Sequence, residues 1–396
     1  MIATLPAAAE RPPKLSPSNF AVSYALVFFV SLGILTIGIS GDGFYKIDEG
    51  LYTGAARNFL AAGPSMVREH PPLAKYLIAL SIKFFGDRPL GWRFPSALAG
   101  AAVALSAFGL TLQLARSLHS AYIAWLLIVT NGFWFFMSRI ANLSIIELAF
   151  EIAAVWAFLI AINETLNGGN ARINLPTERS LAKTHSTRSL PWFPLSGVLF
   201  GLSIATRWCG VVGLAVCVGY ALVYYRSQLG NLVRMCVSAV AVYLIAWIPL
   251  LLREHWSATY LIPANLYILH FHRNATTDPR PGEPWWTWMF KLDLQQAPME
   301  LIANPVICIL GLAAVAFLFW RRKPLLPALY VAHILQWAIV PNHWAHYYYY
   351  LEAFTWLTLT LAVAMQGLKI RGIRLDTVIA ACALGAVAWP FWTAIR

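Results

Sequence analysis

The sequence predicts an all-α protein, a polytopic bundle of transmembrane helices, and two observations indicate this class. First, 59% of its 396 residues are hydrophobic and only 12% are charged, which is about half the charged fraction of a typical soluble domain. Second, apolar runs close to the ~17–25 residues that cross a bilayer recur from one end of the chain to the other. No polar stretch is long enough for a soluble domain, so residues 1–396 are expected to form a single membrane domain.

The net charge of +12 indicates orientation rather than nucleic-acid binding, because the basic residues cluster in short loops between apolar runs. Such clusters favour the cytoplasmic side of the membrane. The five cysteines lie in or beside apolar runs and lack C-x-x-C spacing, so they say nothing about the redox compartment.

The apolar segments are about 20–40, 73–86, 93–115, 120–137, 143–163, 192–206, 209–225, 235–252, 301–320, 324–340, 345–366 and 375–394. An odd number of them precedes the basic loop at 163–190, whereas a cytoplasmic N-terminus and a cytoplasmic loop require an even number of crossings. The segment Leu73–Gly86 is short, follows two prolines and contains two lysines, so we expect it not to cross. The chain then has about eleven crossings and an outer C-terminus.

This orientation places the first outer loop (41–72), the large outer loop (254–300) and several short turns on one outer face. The polar residues that are unusual for a membrane protein lie on that face: Asp48, Glu49, Glu69, His70, Arg93, Arg139, Arg207, His343 and His346. Their convergence predicts a site at the outer, periplasmic surface of the membrane.

The first outer loop is expected to carry an amphipathic helix from Glu49 to Ala61, lying on the membrane surface. Asp48 would stand at its N-terminus, where two interpretations are open. It could cap the helix by accepting backbone N–H bonds. It could instead be a general base, a role typically worth about 10²–10⁴-fold in rate.

Cations near this loop predict an anion site. His70 and Lys75 flank two prolines, and Arg93, Arg139 and Arg207 each begin or interrupt an apolar run. Any single arginine is explained as an anchor that reaches the headgroups. Together they favour binding of a lipid phosphate. Glu69 and His70 are also candidate ligands for a divalent metal cation, although two ligands make a weak set.

Other polar and aromatic positions leave alternatives open. Glu147 and Glu151 share a face of one apolar helix, where they could hold a proton or cation, brace the arginines or bind substrate. Trp285, Trp286 and Trp288 form either an aromatic belt or a stacking surface for sugar or lipid. The stretch from His346 to Tyr350 carries the same ambiguity.

Several stretches together resemble the protein O-mannosyltransferases, within the wider GT-C class of membrane glycosyltransferases that use polyprenyl-phosphate sugars. In chain order they are Asp48-Glu49, HPPLAKYLIA (70–79), RFPSALAGA (93–101), SRIANLSIIELAF (138–150), GLSIATRWCG (201–210), EPWWTWMF (283–290) and HYYYYLEAF (346–354). The match over 68–101 is specific. The sequence departs from the family pattern at Arg68 and Ser144, where the family has aspartates. It also lacks the luminal domain of eukaryotic members.

The resemblance implies an inverting glycosyltransferase of a bacterial inner membrane, with its active site facing the periplasm. It implies Asp48 as the catalytic base, supported by Glu49. The implied substrate-binding residues are His70, Lys75, Arg93, Arg139, Arg207 and His346. The implied partners are a polyprenyl-phosphate-linked sugar donor, a protein, lipid or glycan acceptor and the lipid bilayer, with no nucleic acid.

A transporter or flippase for a lipid-linked or anionic substrate is the alternative function. It predicts an internal repeat of the spans and helices broken at mid-membrane. No convincing repeat is present, and the charges gather at one face. The sequence therefore favours the enzyme.

Overall fold

The structure is a computed structural model that describes residues 17–41, 48–166, 191–255, 257–274, 284–290, 303–339, 347–370 and 373–394. The helices in these residues are α1 (Pro17–Thr36), α2 (Glu49–Leu60), α3 (Leu73–Phe85), α4 (Pro89–Ala115), α5 (Leu118–Val129), α6 (Gly132–Met137), α7 (Leu143–Leu166), α8 (Trp192–Thr206), α9 (Gly210–Tyr224), α10 (Leu229–Ile245), α11 (Ile248–Arg253), α12 (Leu261–Asn274), α13 (Pro305–Trp320), α14 (Leu325–Ile339), α15 (Leu351–Ala364) and α16 (Leu375–Ala394). Short strands β1 (Lys369–Ile370) and β2 (Ile373–Arg374) pair antiparallel between the last two helices.

The predicted all-α membrane bundle is confirmed. Three described helices are long and apolar enough to cross a bilayer, over Pro89–Ala115, Leu143–Thr165 and Arg226–Arg253, and several shorter helices are also apolar. Helices follow the predicted apolar segments closely, except that the segment at 120–137 is broken at Thr130 and Asn131 and the segment at 235–252 is divided between α10 and α11. The Asn131 side chain accepts backbone hydrogen bonds from the first turn of α6 and so restarts the helix there. The number of crossings, their orientation and the single-domain organisation stay predictions.

The bundle is centred on α7 and α15. α7 packs against α4, α8 and α9, and α4 in turn packs against α1 and α5. Every residue of α15 is buried, between α13, α14 and α5. A helix that is apolar on all sides belongs in the interior. α10 packs on α8 but exposes Val233, Val237 and Val240, as expected of a side that faces lipid.

α3 is short for a crossing helix. Its thirteen residues span about 20 Å, whereas the hydrocarbon core is ~30 Å thick. It is followed by Gly86, whose φ of +84° favours glycine. Because α5 and α15, which are counted as crossings, are only 12 and 14 residues long, the length of α3 does not distinguish it, and the prediction that residues 73–86 do not cross stays a prediction.

The predicted amphipathic helix after Asp48 is present as α2, but its buried face differs from the expected one. Leu51 and Leu60 are exposed, whereas Glu49, Tyr52 and Thr53 are buried. The apolar spacing is misleading here because α2 is attached to the bundle by the carboxylate of Glu49 as well as by apolar contact.

One helix of the large outer loop was not predicted. α12 covers Leu261–Asn274 and presents Ile262, Leu266 and Leu269 to its surroundings. Histidine and asparagine residues interrupt the apolar pattern of α12. The sequence of this stretch therefore predicts a polar loop. The last turn of α12 contacts the loop before α3.

Candidate active site

Asp48 lies at the N-terminus of α2 without capping it. Its side chain makes no capping hydrogen bond. Instead, its carboxylate accepts a hydrogen bond from the hydroxyl of Tyr348, with 3.0 Å between Oδ2 and Oη. The capping interpretation of Asp48 therefore finds no support in the geometry. The carboxylate is directed toward residues from distant parts of the chain.

Three tyrosines surround Asp48. Tyr348 and Tyr349 stand in the turn before α15 with their ring centroids 4.6 Å apart. Tyr52 lies one turn along α2 from Asp48. Burial raises the pKa of Tyr52 well above its ordinary value, and the neighbouring charge of Asp48 raises it further. Within the described residues the Tyr52 hydroxyl has no hydrogen-bond partner, so it is available to a ligand.

His70 faces the same space. Its ring centroid lies 6.3 Å from that of Tyr52 and 5.3 Å from that of His272, on α12. Burial lowers the pKa of His70 well below its ordinary value, and the charges of His272, Arg207 and Lys75 lower it further. At neutral pH the imidazole is therefore neutral. His70 would meet a phosphate as a hydrogen-bond donor rather than as a cation.

Lys75 supports the loop that carries His70. Its ammonium donates to the carbonyl oxygens of Val67 and His70, at 2.6 and 2.9 Å. Burial lowers its pKa to about 8, although the charge of Glu69 opposes this, so the group is still mostly charged at neutral pH. Lys75 also lines a groove of about 320 Å³ together with Arg68, His70, Trp247, Tyr260 and Tyr267.

Arg207 stands at the junction of α8 and α9, and its side chain is almost fully buried. Its Nη1 donates to Ser144 Oγ at 2.7 Å and to Glu352 Oε1 at 2.6 Å. Its guanidinium carbon lies 4.7 Å from the centroid of the Tyr349 ring. In the part of the chain that the structure describes, Nε and Nη2 have no hydrogen-bond acceptor. Arg207 thus has donors available next to the Asp48 cluster, which is formed by Asp48, Tyr52, Tyr348 and Tyr349.

Arg93 was expected to bind a lipid phosphate, but in the structure it pairs with a carboxylate. Its Nε and Nη2 donate to the two carboxylate oxygens of Glu49 at 2.8 and 3.0 Å, and both side chains are buried. Its Nη1 donates to the carbonyl oxygens of Ile39 and Gly41. Glu49 also accepts from the backbone N–H of Ala141 at 2.8 Å. This geometry favours a bracing role for both residues, which fixes the start of α2 beside Asp48.

Arg139 also contacts backbone carbonyls. Its Nη1 donates to carbonyl oxygens at the end of α1, those of Leu35 and Ile37 among them. Its guanidinium lies over the ring of Phe135. The geometry favours a role in closing the C-terminus of α1, where helix carbonyls lack intrahelical partners.

The predicted metal ligands do not form a cluster. Glu69 contributes its carbonyl oxygen to His272 Nε2 at 3.0 Å, and His70 packs against the His272 ring. Among the described residues, no group of three or more His, Cys, Asp or Glu side chains is placed to hold a metal ion. A divalent metal at Glu69 and His70 stays a prediction.

Glu147 and Glu151 lie inside the bundle. Glu147 accepts from Ser203 Oγ at 2.7 Å, and Glu151 bonds to His333 and Trp356. A side chain at Gly213 would collide with the Glu151 carboxylate, so glycine allows α9 to approach it. Among the described residues, neither glutamate forms an ion pair with an arginine. The carboxylate that braces Arg207 is Glu352, which the sequence did not single out.

The aromatic loop is partly buried. Trp288 is only 2% exposed and packs on Trp337, whereas Trp286 is 62% exposed. Trp288 is therefore unavailable for sugar stacking, and Trp286 fits the interfacial belt. His346 and His343 lie outside the described residues.

Sequence reasoning missed four residues of this site. Tyr52, Tyr348 and His272 were not singled out individually, because tyrosine and histidine near a membrane interface are common. Glu352 follows a run of tyrosines at the start of an apolar helix, and an isolated intramembrane carboxylate was the available signal for it.

Residues 69–168 match the family of dolichyl-phosphate-mannose-protein mannosyltransferases. The chain is 23% identical over 363 residues to the polyprenol-phosphate-mannose–protein mannosyltransferase of Mycolicibacterium smegmatis (strain ATCC 700084 / mc(2)155), covering 75% of this chain and 70% of that protein. It is 33% identical over 150 residues to the same enzyme of Corynebacterium glutamicum, covering 37% of this chain and 28% of that protein.

Solved structures share the fold. The crystal structure of ArnT from Cupriavidus metallidurans bound to undecaprenyl phosphate matches with a TM-score of 0.62 at 17% identity, covering 93% of this chain and 64% of that chain. The oligosaccharyltransferase of Archaeoglobus fulgidus, tethered with an acceptor peptide, matches with a TM-score of 0.52 at 15% identity, covering 93% of this chain and 54% of that chain. This chain thus spans less than two thirds of these structural neighbours.

The comparisons confirm the resemblance to protein O-mannosyltransferases and the GT-C fold. The mycobacterial relatives are by name polyprenol-phosphate-mannose–protein mannosyltransferases.

Proposed function

We propose that this protein is an inverting glycosyltransferase that moves mannose or a related sugar from polyprenyl phosphate to an acceptor hydroxyl. The single observation that carries the proposal is the position of Asp48. Its carboxylate leaves its own helix uncapped and bonds to Tyr348. It lies beside Tyr52, whose ring neighbours that of His70 and whose hydroxyl is within the electrostatic influence of Arg207. A base and phosphate-binding donors in one place are what glycosyl transfer from a lipid phosphate requires.

The relatives support the choice of donor and acceptor. The M. smegmatis protein is a polyprenol-phosphate-mannose–protein mannosyltransferase by name, which favours mannose and a protein acceptor here. The ArnT structure holds undecaprenyl phosphate, which favours the same class of lipid donor. A lipid or glycan acceptor is the variant of this proposal that the assay below distinguishes.

The reaction follows from these groups. The acceptor oxygen attacks the anomeric carbon from the side opposite the phosphate, and Asp48 takes the hydroxyl proton as the new C–O bond forms. The bond between the anomeric carbon and the phosphate oxygen breaks, and its electrons stay on the departing polyprenyl phosphate. A single displacement of this kind inverts the anomeric centre. General-base catalysis contributes about 10²–10⁴-fold to such a step.

The departing phosphate gains a negative charge, which preorganised donors stabilise. Arg207 offers Nε and Nη2 as donors, and His70 offers its imidazole N–H. Lys75 lines the same groove as His70. Arg93 and Arg139 would act indirectly, by holding α1, α2 and the turn before α7 together.

The outer face of a bacterial inner membrane is the proposed location. The basic loops support it, because positive clusters favour the cytoplasmic side and the Asp48 cluster lies on loops that alternate with them.

Transfer of radiolabelled mannose from polyprenyl-phosphate mannose to protein, lipid and glycan acceptors, in nanodiscs, tests the proposal. Wild-type protein should label one acceptor class, and Asp48→Asn should lower the rate by at least about 10²-fold while donor binding is retained. Asp87→Asn is the matched control, because Asp87 pairs with Arg57 at the surface. Undiminished transfer by Asp48→Asn, or no transfer from any polyprenyl-phosphate sugar, would contradict it.

A further inference from the structure

The guanidinium of Arg207 is held in one orientation by its contacts with Ser144, Glu352 and Tyr349. Both protons of Nη1 are used, one by Ser144 and one by Glu352. The edge formed by Nε and Nη2 has no acceptor among the described residues. A guanidinium binds two phosphate oxygens through a pair of neighbouring donors of this kind.

The flat face of the guanidinium is fixed as well. It lies over the ring of Tyr349, which stacks on Trp337 with centroids 4.9 Å apart and an angle of 1° between the planes. Trp337 in turn contacts the buried ring of Trp288 at 5.5 Å. Rotation of the guanidinium out of its plane would have to displace this aromatic stack.

The carboxyl group of Glu352 lies in the bundle interior, and its Oε2 has no hydrogen-bond partner among the described residues. Glu352 lies in the first turn of α15, where the backbone N–H groups and the helix dipole favour a carboxylate. Its side chain is 1% exposed, and its Oε1 bonds to Arg207 at 2.6 Å. Charge-assisted bonds of this kind are among the stronger ones in proteins.

We propose that Glu352 is a positioning residue, which directs the Nε–Nη2 edge of Arg207 at the phosphate of the lipid donor. The proposal rests on the proposed function, because it takes a polyprenyl phosphate as the ligand. Glu352 itself does not touch the donor. It acts through the position of its carboxylate. Ser144 is the second acceptor for Nη1 of Arg207, and the ring of Tyr349 supports the face of the guanidinium.

A carboxylate beside an arginine has two opposing effects on phosphate binding. Its charge repels the phosphate, whereas its position limits the rotation of the guanidinium. Glu352→Asp and Glu352→Gln separate the two effects. Asp keeps the charge but withdraws the oxygens by one methylene, and Gln keeps an oxygen in place but removes the charge.

Equilibrium binding of undecaprenyl phosphate to protein in nanodiscs is the measurement. If the position of the carboxylate decides, Glu352→Asp should weaken donor binding about tenfold, which is a typical coupling between two residues in contact, here Glu352 and Arg207. Glu352→Gln should weaken donor binding less. Glu352→Asp should have almost no further effect in an Arg207→Gln background, because Glu352 acts through Arg207. In the transfer assay the loss should fall mainly on the KM for the donor.

Ser144→Ala gives a second test that removes the other acceptor of Nη1 with little risk to folding. It should weaken undecaprenyl-phosphate binding in wild-type protein and leave Arg207→Gln unaffected. Ser203→Ala is the matched control, since its hydroxyl bonds to Glu147 rather than to Arg207. Donor binding by that variant should equal that of the wild type.

Three results would overturn the inference: wild-type binding by Glu352→Asp and Ser144→Ala, equal losses in both Arg207 backgrounds, or wild-type binding by Arg207→Gln. A wild-type protein that bound no undecaprenyl phosphate and transferred no sugar would instead overturn the proposed function.

Discussion

The hydroxyl of Tyr348 donates a hydrogen bond to the carboxylate of Asp48 over 3.0 Å, although the two residues are 300 positions apart in the chain. This bond joins the start of α2 to the turn before α15. It orients the proposed base. The first outer loop and the last third of the chain therefore build one site together.

Removal of this bond should slow the reaction without preventing donor binding. Tyr348→Phe leaves the ring in place and takes away one donor to a charged group, a bond worth roughly 1.5–3 kcal/mol. We expect the turnover number for sugar transfer to fall about tenfold or more, and the affinity for undecaprenyl phosphate to stay the same. Transfer rates and equilibrium binding in nanodiscs measure the two quantities separately.

Tyr350→Phe is the control for that experiment, because the Tyr350 hydroxyl is close in sequence but makes no hydrogen bond to Asp48. Equal losses of turnover in both variants would mean that the tyrosine turn matters only for folding.

The buried ion pair of Arg93 and Glu49 should stabilise the fold rather than bind the donor. Loss of one partner of a buried pair typically costs about 3–5 kcal/mol. We therefore expect Arg93→Gln and Glu49→Gln to lower the free energy of unfolding by about that amount, with smaller losses for Arg93→Lys. Thermal denaturation in detergent measures this, and the affinity of the folded protein for undecaprenyl phosphate should change little.

Arg57→Gln is the matched control, because the ion pair of Arg57 with Asp87 is exposed at the surface and such pairs contribute about 0–1 kcal/mol. If Arg93→Gln instead weakened donor binding at unchanged stability, Arg93 would be the phosphate ligand that the sequence suggested.

The helices were predictable because they depend on local pattern. Apolar runs mark the helices, and charges within such runs indicate function because they are costly there. Arg207 was found in this way, whereas Asp48 and His70 were found by their place in the first outer loop. Tyr52 connects them in the structure, since it neighbours Asp48 and His70 and is influenced by the charge of Arg207.

The roles of the arginines were not predictable, because each depends on partners that are distant in the chain. Arg93 meets Glu49 across 44 positions, and Arg207 meets Glu352 across 145. A sequence shows that a cation lies near a membrane boundary, but not whether a carboxylate already occupies it. The same limit explains why α2 buries a glutamate and exposes two leucines.

The last prediction concerns the membrane topology of α3. If this helix does not cross, the residues on either side of it lie on the same outer face. Met66 and Arg88 are exposed and flank α3, so Met66→Cys and Arg88→Cys in a cysteine-free background should both react with a membrane-impermeant thiol reagent in intact cells. Ser227→Cys, in the basic loop between α9 and α10, should react only after permeabilisation, because that loop is expected to be cytoplasmic. Labelling of Met66→Cys from outside, with Arg88→Cys labelled only after permeabilisation, would show that α3 crosses, and the parity of all later helices would then have to be reassigned.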